Sequence, residues 1–250
     1  MNKYTIIKAF ERQFSSKIWK IAVDARGRFI ALETRDADST APTIHILDFE
    51  GNIQHTPFQI KDKEWTLEGI QHNNIILKRV GTQTPIGAGI QIIDFYGQLQ
   101  YLSEQHTWVD TYLDFIKIRH RNFQSGMEEF IKIIDGSKAK NIDPNQLSYC
   151  QTIEFPLRYT GQLPPFLKET YLIDSLLLNK ISDNRYLWSY HTKEQEFYQL
   201  HICISDRFKI LEKTTILLNM EKIIPQHYFK INDQIFLMSY NKQEIVSYLV

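Results

Sequence analysis

The chain repeats itself at a spacing of 46 residues, without a gap. Trp19 recurs as Trp65, Ile30 as Ile76 and Ile44 as Ile90. The run Ile46-Leu47-Asp48-Phe49-Glu50-Gly51-Asn52-Ile53-Gln54 returns as Ile92-Ile93-Asp94-Phe95-Tyr96-Gly97-Gln98-Leu99-Gln100. A period of this length is about that of one four-stranded propeller blade. Such a unit cannot bury both faces of its sheet alone, so copies must stack. The repeat therefore constrains shape and leaves chemistry open.

Between these landmarks the apolar pattern has period two, the signature of strands. Phe29–Arg35, Thr43–Phe49, Asn74–Val80 and Gly89–Phe95 read as strands. Turn signals separate them at Ala25–Arg28, Glu50–Asn52, His72–Asn74 and Tyr96–Gln98. The first copy runs from about Ile18 to Ile60 and the second from about Trp65 to Ser103. A degraded third copy starts at Trp108 and continues through Phe115–Arg119 and Phe130–Gly136. The stretch Asn141–Thr170, with Pro144, Pro156, Gly161, Pro164 and Pro165, is less regular. It reads either as a blade edge with a long loop or as an elaboration capping one face. A fourth module follows in Leu176–Ile181, Arg185–His191, Glu196–Ser205 and Phe208–Leu217. The last has only three strands: Tyr228–Ile231, Gln234–Tyr240 and Glu244–Val250. The N-terminal segment Lys3–Phe14 belongs to no module, so it is expected to supply the missing outer strand and remove a sheet edge. The expected fold is all-β, a single domain over residues 1–250: a five-bladed β-propeller closed by the N-terminal strand. Stacked sheets or a distorted barrel are the alternative.

Ile18-Trp19 with Ile46-Leu47-Asp48-Phe49-Glu50-Gly51 resembles the blade pattern of quinoprotein-type and related propellers, over residues 18–103. In that pattern an apolar-Leu-Asp ends the third strand, two residues and a Gly follow, and a docking Trp comes next. Here Gln54 and Gln100 stand where that Trp would be. The resemblance thus implies the fold and no quinone cofactor. The whole chain also resembles an uncharacterised bacterial family of similar length, which implies a propeller-like fold and no particular substrate.

With 43% apolar and 13% aromatic residues the 250-residue chain can fill a sizeable core. Lys and Arg (29) balance Asp and Glu (29), so no net field draws nucleic acid or an anionic membrane. Cys150 and Cys203 lack metal spacing and read as two reduced thiols. Lys8 and Glu11 interrupt the N-terminal apolar run, which argues against a signal peptide. No segment approaches the roughly 18 apolar residues of a membrane helix. A cytoplasmic monomer is the expectation.

Trp19, Trp65 and Trp108 each open a first strand. Inter-blade packing is the favoured role, with stacking on a flat ligand at a channel mouth as the other. The second strands end in polar groups: Glu33, Arg35 and Asp36; then Arg79; then Arg119, His120 and Arg121; then His191. Arginines converging on one loop face could grip a carboxylate, a phosphate or an acidic peptide. A solvated rim is the simpler reading of the same residues. The candidate ligand-binding set is Glu33, Arg35, Trp65, Arg79, Trp108, Arg119, Arg121 and His191. The pairs His45/His55 and His191/His201 are each ten apart and form no metal motif. Asp36-x-Asp38 opens like a calcium loop without completing one. There is no Gly-x-Ser-x-Gly, and Gly81–Gly89 lacks the Gly-Lys-Ser/Thr ending of a phosphate loop. These readings assign no catalytic residue, cofactor or metal. They favour a non-enzymatic binding or scaffolding module for a protein or acidic small molecule. The second reading is a carbohydrate-active enzyme with paired carboxylates in a central channel, for which Asp24 and Glu68 are the nearest acids.

Overall fold

The computed structural model describes residues 5–80, 88–140, 142–143, 147–149 and 153–250. The expected positions on Lys3, Tyr4, Gly81–Gly87, Asn141, Pro144 and Cys150 lie outside the described residues. The architecture is all-β, five antiparallel sheets of three to five strands. Their only helical element among the described residues is a short 3-10 turn at Pro165–Leu167. The chain divides into two compact units, Phe14–Thr152 and Met1–Gln13 with Ile153–Val250.

After β1 (Ile7–Gln13), unit Phe14–Thr152 carries three sheets. The first holds β2 (Lys17–Val23), β3 (Phe29–Arg35), β4 (Pro42–Asp48) and β5 (Phe58–Gln59). The second holds β6 (Trp65–Gln71), β7 (Asn74–Arg79), β8 (Ile90–Asp94) and β9 (Leu99–Ser103). The third holds β10 (His106–Thr111), β11 (Phe115–His120) and β12 (Glu128–Lys132). The middle strands of the second sheet, β7 and β8, are buried on both faces. Ile75, Leu77, Ile93 and Phe95 pack on Ala31, Ile44 and Ile46 of the first sheet. Ile76, Ile90 and Ile92 pack on Ile116, Ile118 and Ile131 of the third. That is why β7 reads Ile-Ile-Leu rather than alternating apolar with polar: both of its faces are removed from water.

The 46-residue repeat has one structural slip. Ile30 faces Leu47 across β3 and β4, but Ile93 faces Ile75 rather than Ile76. Third strands therefore align at 46 residues and second strands at 45. The slip propagates to the first strands. Trp65 lies opposite Arg79, and Ile18 opposite the corresponding Thr34. Ile18, not Trp19, occupies the place of Trp65, and both are buried. Trp19 falls at a bulge between Ile18 and Lys20 and is 66% exposed. The packing role expected for Trp19 is thus corrected: the extra residue of the bulge turns its indole out of the inter-sheet core.

The second unit carries two sheets. One holds β13 (Leu157–Arg158), β14 (Ile173–Ser182), β15 (Arg185–Glu194), β16 (Phe197–Ser205) and β17 (Ile210–Met220), in that order. The other holds β18 (Phe229–Ile231), β19 (Gln234–Met238), β20 (Glu244–Leu249) and, against β20, the N-terminal β1. Gln13 lies opposite Glu244 and Ile7 opposite Leu249. The N-terminal segment thus completes the last sheet. The irregular stretch before β14 does both things the sequence allows. Leu157 and Arg158 add an edge strand beside β14, and Tyr159, Phe166, Leu167 and Leu172 cover one face of the sheet over Trp188, Tyr190 and Cys203. The opposite face, through Leu187, Leu200 and Ile202, packs on Tyr228, Ile235, Leu237 and Val246. No helix among the described residues is long and apolar enough to cross a membrane.

Candidate functional site

Most of the arginine row at the second-strand ends is built into the fold. Arg35 donates through Nε to Glu33 Oε1 at 2.6 Å, through Nη1 to the carbonyls of Thr40 (3.1 Å) and Lys63 (2.8 Å), and through Nη2 to the carbonyl of Trp65 at 2.7 Å. Its guanidinium also lies 5.3 Å over the exposed Trp19 ring. Glu33 is fully buried, and its other oxygen accepts from Thr66 Oγ1 and from the Leu67 amide, each at 2.7 Å. Together these bonds tie the end of β3 to the entry of β6.

Arg79 donates to Asp62 at 2.7 Å and holds Glu64 at 3.0 Å from Nε, an ion pair without hydrogen-bond alignment. Its hydrogen bond to Asp62 raises the Arg79 pKa. The guanidinium caps the buried Trp65 ring at 5.5 Å. Trp65 in turn needs Gly89, where an added Cβ would lie 2.7 Å from the indole. Arg119 sits 3.5 Å from Glu128. Arg121 is exposed. Trp108 donates to Thr111 Oγ1 at 2.9 Å beneath the Lys78 ammonium, 4.3 Å from the ring centre. The structure therefore brings Glu33, Arg35 and Trp65 together, and Trp65 with Arg79, as packing and ion-pair contacts.

The two acids considered for glycan chemistry are held by cations. Glu68 accepts from Lys20 at 2.7 Å and pairs with Lys78 at 2.8 Å; Asp24 pairs with Arg28 at 3.1 Å. Asp36 caps its own turn, accepting from the amides of Asp38 (2.9 Å) and Ser39 (2.6 Å). Among the described residues no three His, Cys, Asp or Glu side chains gather as metal ligands.

His191 is fully buried on β15, edge-on to His227 with ring centres 4.4 Å apart. His227 shares a 2.8 Å hydrogen bond with Ser189 Oγ, and Tyr228 donates to Asn179 at 2.8 Å beside it. Neither nitrogen of His191 has a hydrogen-bond partner among the described residues. Burial drives its pKa down to about 4, so the ring is neutral near pH 7. Ligands in solution cannot touch a side chain so enclosed. Cys203 is likewise a buried free thiol, its pKa pushed up to about 12 by burial, and is inert as a nucleophile.

A side-chain-lined cleft does open on the covered face of the β13–β17 sheet. Its volume is about 470 Å³, within the range that holds small ligands. Leu178 on β14 and Tyr186 and Trp188 on β15 form its floor, Tyr159 and Leu163–Phe166 one wall, and Asp206–Arg207 of the β16–β17 turn the other. Trp188 is the hub: Tyr159 stands edge-on at 5.1 Å, Phe166 at 6.2 Å and Tyr186 tilted at 6.3 Å. The indole N–H donates to Ser205 Oγ at 2.8 Å, which fixes the ring within the sheet. Tyr159 is held by donating to the Gln162 carbonyl at 3.0 Å. Lys168 and Arg207 stand exposed at the rim, and neither makes an ion pair among the described residues. Asp206 is the one acid of the lining, and its carboxylate is tied to the amides of Phe208 (2.7 Å) and Lys209 (2.8 Å). Those bonds hold its pKa below the ordinary range.

Of the sequence candidates, none lines this cleft. Its signal in the chain was a segment rich in Pro and aromatic residues, Tyr159–Phe166, ahead of a strand with aromatics at Tyr186, Trp188 and Tyr190. Aromatics two apart share a strand face, and a proline-rich segment that cannot itself join a ladder is suited to lie across it.

No family model matches the chain, and no curated protein matches it. Among solved structures it is similar to the β-propeller domain of the Trilobed protease from Pyrococcus furiosus, at 12% identity and a TM-score of 0.34, over 90% of this chain and 63% of that one. The chain thus spans less than two thirds of that structure. It is also similar to an uncharacterized protein from Listeria monocytogenes EGD-e, at 12% identity and a TM-score of 0.34, over 93% of this chain and 94% of that one.

Proposed function

We propose that this chain is a non-enzymatic binding module: a five-bladed β-propeller, closed by its N-terminal strand, that takes a small ring-bearing ligand in the cleft around Trp188. The five-sheet count and the seat of β1 beside β20 support the ring. The observation that carries the binding reading is the cleft itself, about 470 Å³ and walled by Tyr159, Phe166 and Tyr186 about the Trp188 hub. Its single acid is engaged by a turn, so the lining offers no pair of carboxylates for glycosidic cleavage. The site of binding moves away from the arginine row because Arg35 and Arg79 already satisfy carbonyls and acids of their own unit.

The test is titration with the uncharged fluorophore N-phenyl-1-naphthylamine. Saturable one-site binding that Tyr186→Ala weakens by about tenfold, the loss of one ring contact, supports the reading. Failure of the fluorophore to bind, or binding indifferent to Tyr186, rejects it.

A further inference from the structure

The two cations at the rim of the cleft say more about what it holds. Half-buried aromatic walls favour a flat apolar body. Lys168 and Arg207 stand on different segments, one after the 3-10 turn and one in the β16–β17 turn, yet both line the same opening. Asp206 accepts from two turn amides, and Asp183 pairs with Lys180 at 2.8 Å while also feeling the charge of Arg207. The lining therefore carries two cations against one acid, and neither cation forms an ion pair among the described residues. Resting on the cleft reading above, we propose that the ligand is a small planar molecule bearing an anionic group, carboxylate, sulfonate or phosphate. Its ring lies against Tyr159, Phe166 and Tyr186, and its charge is held between Lys168 and Arg207. A guanidinium presents a planar fork to such an oxyanion, and an ammonium adds a point charge beside it.

The experiment compares two fluorophores that share one ring system. Anilinonaphthalene-8-sulfonate carries an anion, and N-phenyl-1-naphthylamine carries none. Both are titrated against the full chain and against Lys168→Glu, Arg207→Glu and the double variant. These positions are exposed, so circular dichroism should be unchanged. The expected result is tighter binding of the sulfonate by wild type and a loss of about fivefold for each substitution, with the neutral fluorophore held within twofold throughout. Equal affinity for the two fluorophores, or indifference of the sulfonate to both substitutions, overturns the charge assignment while leaving an apolar cleft. If Tyr186→Ala also leaves both affinities unchanged, the cleft itself is not the site.

Discussion

Gln54 donates from Nε2 to Asp48 Oδ2 at 2.7 Å, across the turn that joins β4 to the next segment. The other oxygen of Asp48 accepts from the amides of Glu50 and Asn52. In the second copy Asp94 accepts from Tyr96 and Gln98 in the same way, and Gln100 reaches it at 3.4 Å. Gly51 and Gly97 both adopt positive φ, at 83° and 81°. Gln54 is thus a second lock on the turn aspartate. Asp48→Ala removes every side-chain bond of the first of these turns to its aspartate and is expected to lower unfolding free energy by about 1–2 kcal/mol. Gln54→Ala removes its exposed bonds to Asp48 and the Asn52 carbonyl and should cost about 0.5 kcal/mol or less. Urea denaturation of the two variants measures the difference.

Glu33 is the most enclosed charge of its unit. Glu33→Gln keeps the shape but leaves Arg35 without its carboxylate, and should cost about 3 kcal/mol. The double variant Glu33→Gln/Arg35→Met should cost less than the sum of the two single changes, because the ion pair is one unit. A double-mutant cycle in urea reads the coupling; additive losses would mean that the two side chains act independently.

Three buried histidines make the second unit sensitive to acid. Burial lowers the pKa of His191 and His201 to about 4 and that of His227 to about 3. The unfolded chain titrates them near 6.5, so below that pH it binds protons that the folded state does not. Stability is therefore present above about pH 6.5 and lost as pH falls toward 4. Each histidine contributes a slope of up to about 1.4 kcal/mol per pH unit in that window. His191→Leu should flatten the acid limb of a stability–pH curve. A variant as acid-sensitive as wild type would show that His191 titrates normally.

The sequence made much of this fold legible. Phe29–Arg35 is a strand at its expected bounds, and β7, β8, β19 and β20 differ from expectation by one or two residues. Strand alternation and turn chemistry are local, so they survive in the chain. The Trp19–Trp65 match misled because register is not local: a bulge in β2 and a one-residue slip in β7 moved the indole of Trp19 outward while the sequence spacing stayed intact. The charged strand ends were ambiguous for a related reason. An arginine bound for solvent and one bound for a neighbouring carbonyl look alike until the partner's position is known, as Arg35 and Lys63 show. The cleft was hidden because its walls come from Tyr159, Trp188 and Arg207, which meet only in the folded sheet.

The closed five-bladed ring proposed above predicts a single compact particle. For 250 residues the radius of gyration should be about 18 Å. Small-angle X-ray scattering measures it. A value several ångströms larger, with two maxima in the pair-distance distribution, would contradict a closed ring.

The chain has four tryptophans, Trp19, Trp65, Trp108 and Trp188, so a nitrogen-15 correlation spectrum should show four indole N–H signals. Titrating anilinonaphthalene-8-sulfonate into the labelled protein tests the binding site most directly. The account predicts that the Trp188 signal, assigned by Trp188→Phe, shifts most and saturates with the fluorescence. A spectrum in which Trp188 stays fixed while Trp19 or another indole moves would contradict it.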